Sequence, residues 1–243
     1  QINTPTTNSF TNLDGAIQAN ISPNTTAGFS IVTWTANGSN DGLIGHGLGV
    51  TPDLIIYKKR ESGTGSWYVW LNGLADGSQD FMSLNNTDAK ADVPSQYGTP
   101  SSTGISNYGY STNSLLAYCF ASKKGYSRFG VYTGNGNADG AFIYTGFKPA
   151  WVLVKNTTSG SHSWLLFDNQ RDPINAANQL LMPNQTSAES ETANEVDFLS
   201  NGFKMRGTGT DSNESGSSII YLAFAENPFV ANDSGTAIPT TAK

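Results

Sequence analysis

The sequence predicts an all-β chain: two tandem β-sandwich (jelly-roll-like) repeats preceded by an extended N-terminal arm. Three observations carry that expectation. Short runs alternate apolar and polar side chains with a period of two, which gives a strand one buried and one solvated face. Asn-Gly and Asp-Gly dipeptides punctuate the runs, and these residues tolerate positive φ and close tight hairpins. Finally, Gly38 and Gly136, Pro52 and Pro149, Lys58 and Lys155, and Trp67 and Trp164 all stand 97 or 98 residues apart. Chance seldom keeps four such offsets constant, so one structural plan is written twice.

Taken in order, residues 1–28 lack a sustained period and read as an arm with one short strand at 16–20. Phe10, Leu13 and Ile17 would be wasted on solvent there, so the arm is expected to lie on a neighbouring subunit. The first repeat spans 29–125. Phe29 opens a strand, Asn37-Gly38 and Asp41-Gly42 make the turn, and Pro52 precedes the apolar run Leu54-Ile55-Ile56. Further strands are expected at 67–71, 81–84 and 115–121. Between 85 and 104 the chain has two prolines and no periodicity, and at roughly 20 residues it is long for a connector. The second repeat spans 126–229. Phe129, Val131 and Thr133 alternate with Gly130, Tyr132 and Gly134, a turn follows at 134–140, and Phe142-Ile143-Tyr144 runs on as a short strand. Pro149 fixes φ ahead of the buried run Trp151-Val152-Leu153-Val154. Strands are then expected at 163–167, 179–182, 198–205 and 219–225, with one helical turn at 172–178 started by Pro173, and residues 230–243 form a polar tail. Each repeat is expected to bury a tryptophan, Trp67 or Trp164. Strand exchange between the copies, giving one shared core, stays open as an alternative.

Composition narrows the function. The chain has 243 residues, a net charge of −6 and only 13% charged side chains, against roughly 25% in an average soluble protein. Ser, Thr, Asn and Gly carry the polarity, so the surface is neutral and rich in hydroxyls and amides. That surface has no electrostatic footprint for nucleic acid or anionic membrane. No apolar run approaches the roughly 20 residues of a membrane-spanning helix, and no membrane insertion is expected. Cys119, the one cysteine, sits in a strand-like run and reads as a buried, inert thiol. Because the chain opens on Gln1, it is expected to be a processed product or a piece of a longer polypeptide.

Chemistry-bearing constellations are sparse. His46 and His162 have no second ligand at metal spacing, and no Gly-x-Ser-x-Gly occurs. Asp168, Asp172 and Glu226 are carboxylates that a glycosidase could pair, yet Asp168 reads more simply as a loop-start residue after a strand. The turns at 37–42 and 135–140 resemble oxygen-rich calcium loops but lack the bidentate glutamate. Asn24, Asn156 and Asn184 head Asn-x-Ser/Thr triplets that a chain of this composition generates by accident. The expectation is therefore no enzyme, no cofactor and no metal. Tyr97, Tyr108 and Tyr110, in or beside the long loop of the first repeat, are the aromatics that no strand pattern obliges to be buried, and they are the expected ligand contacts.

Four segments carry a resemblance: Tyr132-Thr-Gly-Asn-Gly136, Tyr144-Thr-Gly-Phe-Lys-Pro149, Asp197-Phe-Leu-Ser-Asn-Gly-Phe-Lys204 and Ala223-Phe-Ala-Glu-Asn-Pro228. In these the chain resembles a family of tailed-bacteriophage virion proteins of the tail-fibre or structural type, over about 28–229. Asn3-Thr-Pro-Thr-Thr-Asn-Ser-Phe10 also looks like the segment that often opens such proteins; the fuller lectin-like region that tends to follow it is absent or very short here. The resemblance implies a virion component on the phage surface, tail or capsid, with no catalytic residue to carry over. Its expected partners are copies of itself, as a homotrimer, and other virion proteins. Two functions compete: a fibre or spike module contacting host-surface carbohydrate, and a capsid decoration or head-fibre subunit.

Overall fold

A computed structural model of the chain describes residues 10–12, 17–38, 42–61, 65–74, 79–93, 99–107 and 112–226. The fold is all-β, with eighteen strands and one four-residue helix among the described residues. It divides into two units, Gln1–Ser83 with Ala91–Ala121, and Leu84–Lys90 with Ser122–Lys243.

Unit 1 contains β1 (Phe10–Asn12), β2 (Ala19–Asn24), β3 (Phe29–Thr35), β4 (Leu43–Gly45), β5 (Leu54–Lys59), β6 (Tyr68–Leu71), β7 (Gln79–Ser83), β8 (Ala91–Val93), β9 (Gly104–Ser106) and β10 (Ser114–Phe120). Eight of them form one sheet in the order β1-β2-β3-β10-β5-β6-β7-β8, and β4 pairs with β9. Alternation sets the faces as expected. Val32 and Trp34 of β3, Ala117 and Cys119 of β10, and Ile55 and Tyr57 of β5 enter the core together with Ile44 and Ile105 of the small sheet.

Three expectations are corrected here. The arm supplies strands to its own unit: β2 pairs with β3 along six residues, and Ile17, Ala19 and Ile21 are buried in the unit 1 core. Ile17, one of the three apolar side chains that argued for a neighbour, is thus satisfied at home; Leu13 and the side chain of Phe10 lie outside what the structure describes. Trp67 is only half-buried, because it faces away from the core against Tyr118, and the buried tryptophans of unit 1 are Trp34 and Trp70. The stretch 85–104 contains β8, and its residues 85–90 belong to unit 2.

Unit 2 contains β11 (Ser127–Thr133), β12 (Phe142–Tyr144), β13 (Pro149–Asn156), β14 (Trp164–Asp168), β15 (Ala177–Leu180), β16 (Ser190–Leu199), β17 (Gly202–Met205), the helix α1 (Thr210–Asn213) and β18 (Ser218–Ala225). Two four-stranded antiparallel sheets, β11-β18-β13-β14 and β12-β17-β16-β15, face each other. Val152, Val154, Phe167 and Tyr221 from the first meet Ile143, Val196, Phe203 and Met205 from the second, the sandwich-like packing of two half-buried sheets. Gly130 on β11 is a packing requirement, since a Cβ there would lie 2.9 Å from the Tyr221 ring. No helical turn forms at 172–178: the Asp172 carboxylate accepts the backbone N–H of Asn178 and of Gln179 and draws the chain into β15. The stretch 198–205, expected as one strand, is a hairpin of β16 and β17.

The strand runs β3-β10-β5-β6 and β11-β18-β13-β14 follow the same chain order. The pairs β4-β9 and β12-β17 also share a register, with Gly45 opposite Gly104 and Tyr144 opposite Gly202.

Candidate functional site

Tyr97, Tyr108 and Tyr110 lie outside the described residues. Next to Tyr108 in sequence, Asn107 is fully buried and its Oδ1 accepts the Trp34 indole N–H at 2.9 Å. The three carboxylates weighed from sequence are spread over separate local duties. Asp168 accepts from the backbone N–H groups of Gln170 and Arg171 and pairs with the Arg171 guanidinium at 2.6 Å. Asp172 fixes the start of β15, and Glu226 accepts from Asn169 Nδ2 at 3.1 Å. In the 135–140 turn, Asn135 Oδ1 accepts from Asn137 N–H and Asn137 Oδ1 from Asp139 N–H, while Asp139 pairs with Lys204. These are turn-closing bonds. Asn156 is fully buried, its amide donating to Thr210 O and Glu214 Oε2, a placement with no room for a glycan.

Both histidines are held by partners within their own unit. His46 is buried and accepts Leu48 N–H at Nδ1, 3.2 Å, while Nε2 lies 3.1 Å from Ser101 O. That pattern requires the Nε2–H tautomer, and burial lowers the pKa of the ring below its ordinary value. His162 is buried with Nδ1 at 2.8 Å from Asp211 Oδ1 and Nε2 at 3.6 Å from Glu214 Oε2. Ser217 Oγ joins the same carboxylate, donating to Glu214 Oε2 at 2.6 Å. The Ser217 and Asn156 hydrogen bonds, and then the His162 ring, hold the Glu214 carboxyl below its usual range. This network ties α1 to β13.

A groove of about 390 Å³ lies on unit 1, lined by Ile17, Gln18, Ala19, Asn20, Thr33, Trp34, Thr35, Arg60 and Ser114. Its construction follows from strand alternation: Val32 and Trp34 point into the core, so Thr33 and Thr35 must point out beside Asn20 of the paired β2. Ser114 opens β10 next to Arg60, and Glu61 just beyond accepts both Ser114 N–H at 3.1 Å and Ser114 Oγ–H at 2.8 Å. Those two bonds hold the Glu61 carboxyl below its usual range. The lining therefore offers two amides, three hydroxyls and one guanidinium, a set of neutral donors and acceptors with one cation. It suits a ligand dense in hydroxyls, and its volume falls in the range of small-molecule sites. Sequence reading missed these residues because Thr and Asn are common everywhere in the chain; the outward parity of Thr33 and Thr35 beside the inward Val32 and Trp34 was the available signal.

Fold and groove together define an all-β, sandwich-like protein. A family described as a domain of unknown function, DUF7483, matches residues 4–228, and the chain belongs to that family. No curated protein and no solved structure matches it.

Proposed function

We propose that the chain is a bacteriophage virion structural protein, a tail-fibre or spike module that contacts host-surface glycan and catalyses nothing. The observation that carries this reading is the unit 1 groove, whose hydroxyl, amide and guanidinium lining matches the dense hydrogen-bonding demand of a saccharide. A chain with 13% charged residues also offers little to a strongly charged partner, and the motifs that resemble those of phage virion proteins suggest the setting. A homotrimer, joined to other virion proteins, is the proposed assembly.

A second reading, capsid decoration or head fibre, is favoured by the aromatic outer sheet faces. Phe29, Tyr118 and Trp67 stack in unit 1, and the partly exposed Phe224 and Trp151 meet edge to face in unit 2, surfaces suited to packing flat against other virion subunits. Binding of the purified, intact protein to a glycan array and to bacterial cells separates the two. The fibre reading expects retention that falls at least tenfold in Thr33→Ala/Arg60→Ala. An intact oligomer retained by no glycan and no cell would leave decoration as the reading to keep.

A further inference from the structure

The second sheet of unit 2 ends on β12, and its outer face differs from the rest of the surface. Phe142 and Tyr144 stand on that face, 48% and 57% exposed, while Ile143 between them is buried. Both rings are laid over glycine. Gly202 faces Tyr144 in register, a Cβ at 202 would collide with Ile143 O, and it would lie 3.1 Å from Phe142 Cε2. At Gly146, with φ +84, a Cβ would meet the Tyr144 hydroxyl at 3.5 Å and Cζ at 3.7 Å. Beside the rings runs a row of paired charges: Lys204 opposite Phe142, Asp197 opposite Lys204, Asp139 on Lys204 and Arg206 on Asp197 at 3.7 Å. Aromatic surface and fixed polar groups thus lie side by side.

We infer that Phe142 and Tyr144, set over Gly146 and Gly202 and flanked by the Asp139–Lys204–Asp197 row, form a stacking platform for a pyranose sugar, an inference that rests on the glycan-contacting reading above and adds a second contact to the groove. A pyranose has an apolar C–H face that packs on an aromatic ring and equatorial hydroxyls that reach sideways to carboxylate and ammonium groups. Size favours a sugar over a protein partner. The two half-exposed rings offer on the order of 200 Å², whereas a stable protein interface covers about 800 Å² on each partner. The corresponding strands of unit 1 hold Leu43, Gly45 and Ser106 where unit 2 holds Phe142, Tyr144 and Lys204. The platform therefore belongs to unit 2 alone, and the fold does not require it, because the same strand pair forms without aromatics.

The test is saturation-transfer NMR on the intact protein with methyl glycosides of glucose, galactose, mannose, N-acetylglucosamine and rhamnose. We expect transfer to the C–H protons of one ring face of at least one glycoside, reduced at least fivefold in Phe142→Ala/Tyr144→Ala. The milder Phe142→Leu/Tyr144→Leu pair keeps an apolar strand edge and is expected to lose transfer to the same degree, because it removes the rings. Undiminished transfer in the leucine pair overturns the platform while leaving glycan contact elsewhere intact. Cell adsorption without transfer from any of the five glycosides overturns the platform alone, and neither transfer nor adsorption overturns the fibre reading with it. Self-association of the wild type that the leucine pair abolishes also overturns it, by making this face a protein contact.

Discussion

Lys58 with Trp67 and Lys155 with Trp164 occupy the same place in the two units and meet opposite fates. In unit 2, Lys155 pairs with Trp164 across β13 and β14; in unit 1, the β5–β6 ladder ends at Tyr57 and Tyr68, one step short of Lys58 and Trp67. Lys155 and Trp164 are both fully buried, whereas Lys58 and Trp67 are half-exposed, the ammonium 5.3 Å from the indole centre and bonded to Gly65 O. The difference comes from a segment with no periodicity at all. Residues Leu84–Lys90 belong to unit 2, where Thr87 O accepts from Lys155 Nζ at 3.2 Å and Lys90 N–H bonds Thr157 O at 3.1 Å. Asn156 O accepts the same ammonium at 2.9 Å. Two carbonyls accept from it, and burial outweighs the opposing pull of the Asp211 and Asp88 carboxylates, so that the Lys155 pKa falls to about 8. Register is thus set by strand pattern, while burial is set by whatever covers the strand.

The widest separation between the two pairs is expected from truncating the indoles. Trp164→Ala should cost about 3–5 kcal/mol, the range for a large buried aromatic, and Trp67→Ala about 1–2 kcal/mol, made of partial burial and a cation–π contact. Urea denaturation measures both, and equal losses would end the comparison. Next in size is the lysine. A group whose folded pKa lies below its unfolded value adds stability as pH rises from the first to the second. Lys155 should therefore add on the order of 3 kcal/mol between pH 8 and 10.5, an increment absent below pH 8, where both states carry the proton. Subtracting the curve of Lys155→Met isolates that rise from the buried Tyr57 and Tyr132, whose hydroxyls burial pushes up. The same subtraction with Lys58→Met should be flat over this window, and a matching rise there would show that the covering segment is irrelevant.

Sequence carried the local geometry well. Alternation in 129–133 and the apolar runs at 54–56, 115–121 and 163–167 marked strands, and Asn-Gly and Asp-Gly marked the turns, because these are short-range effects. It failed where the deciding atoms were distant in sequence. Trp67 read as core because a repeated tryptophan suggests a repeated environment, and nothing local reveals that Thr87 will cover only the second copy. Asp172 read as the edge of a helical turn because its bonds to Asn178 and Gln179 outcompete that turn from six and seven residues away. Ile17 and Ile21 read as an arm because the strand that receives them begins only at Phe29. The groove was half legible, in the outward parity of Thr33 and Thr35; Arg60 and Ser114 join it only through β-pairing across the sheet. The rings of Phe142 and Tyr144 were legible as a strand, and their exposure follows from Gly202 on a hairpin that the pattern fused into one element.

The central claim, that this is a glycan-contacting fibre or spike component, is tested most directly by locating the chain on phage particles with a gold-labelled antibody raised against it. Label confined to the tail tip or fibres is the expected result, and label spread over the capsid, or absent from the particle, would contradict it.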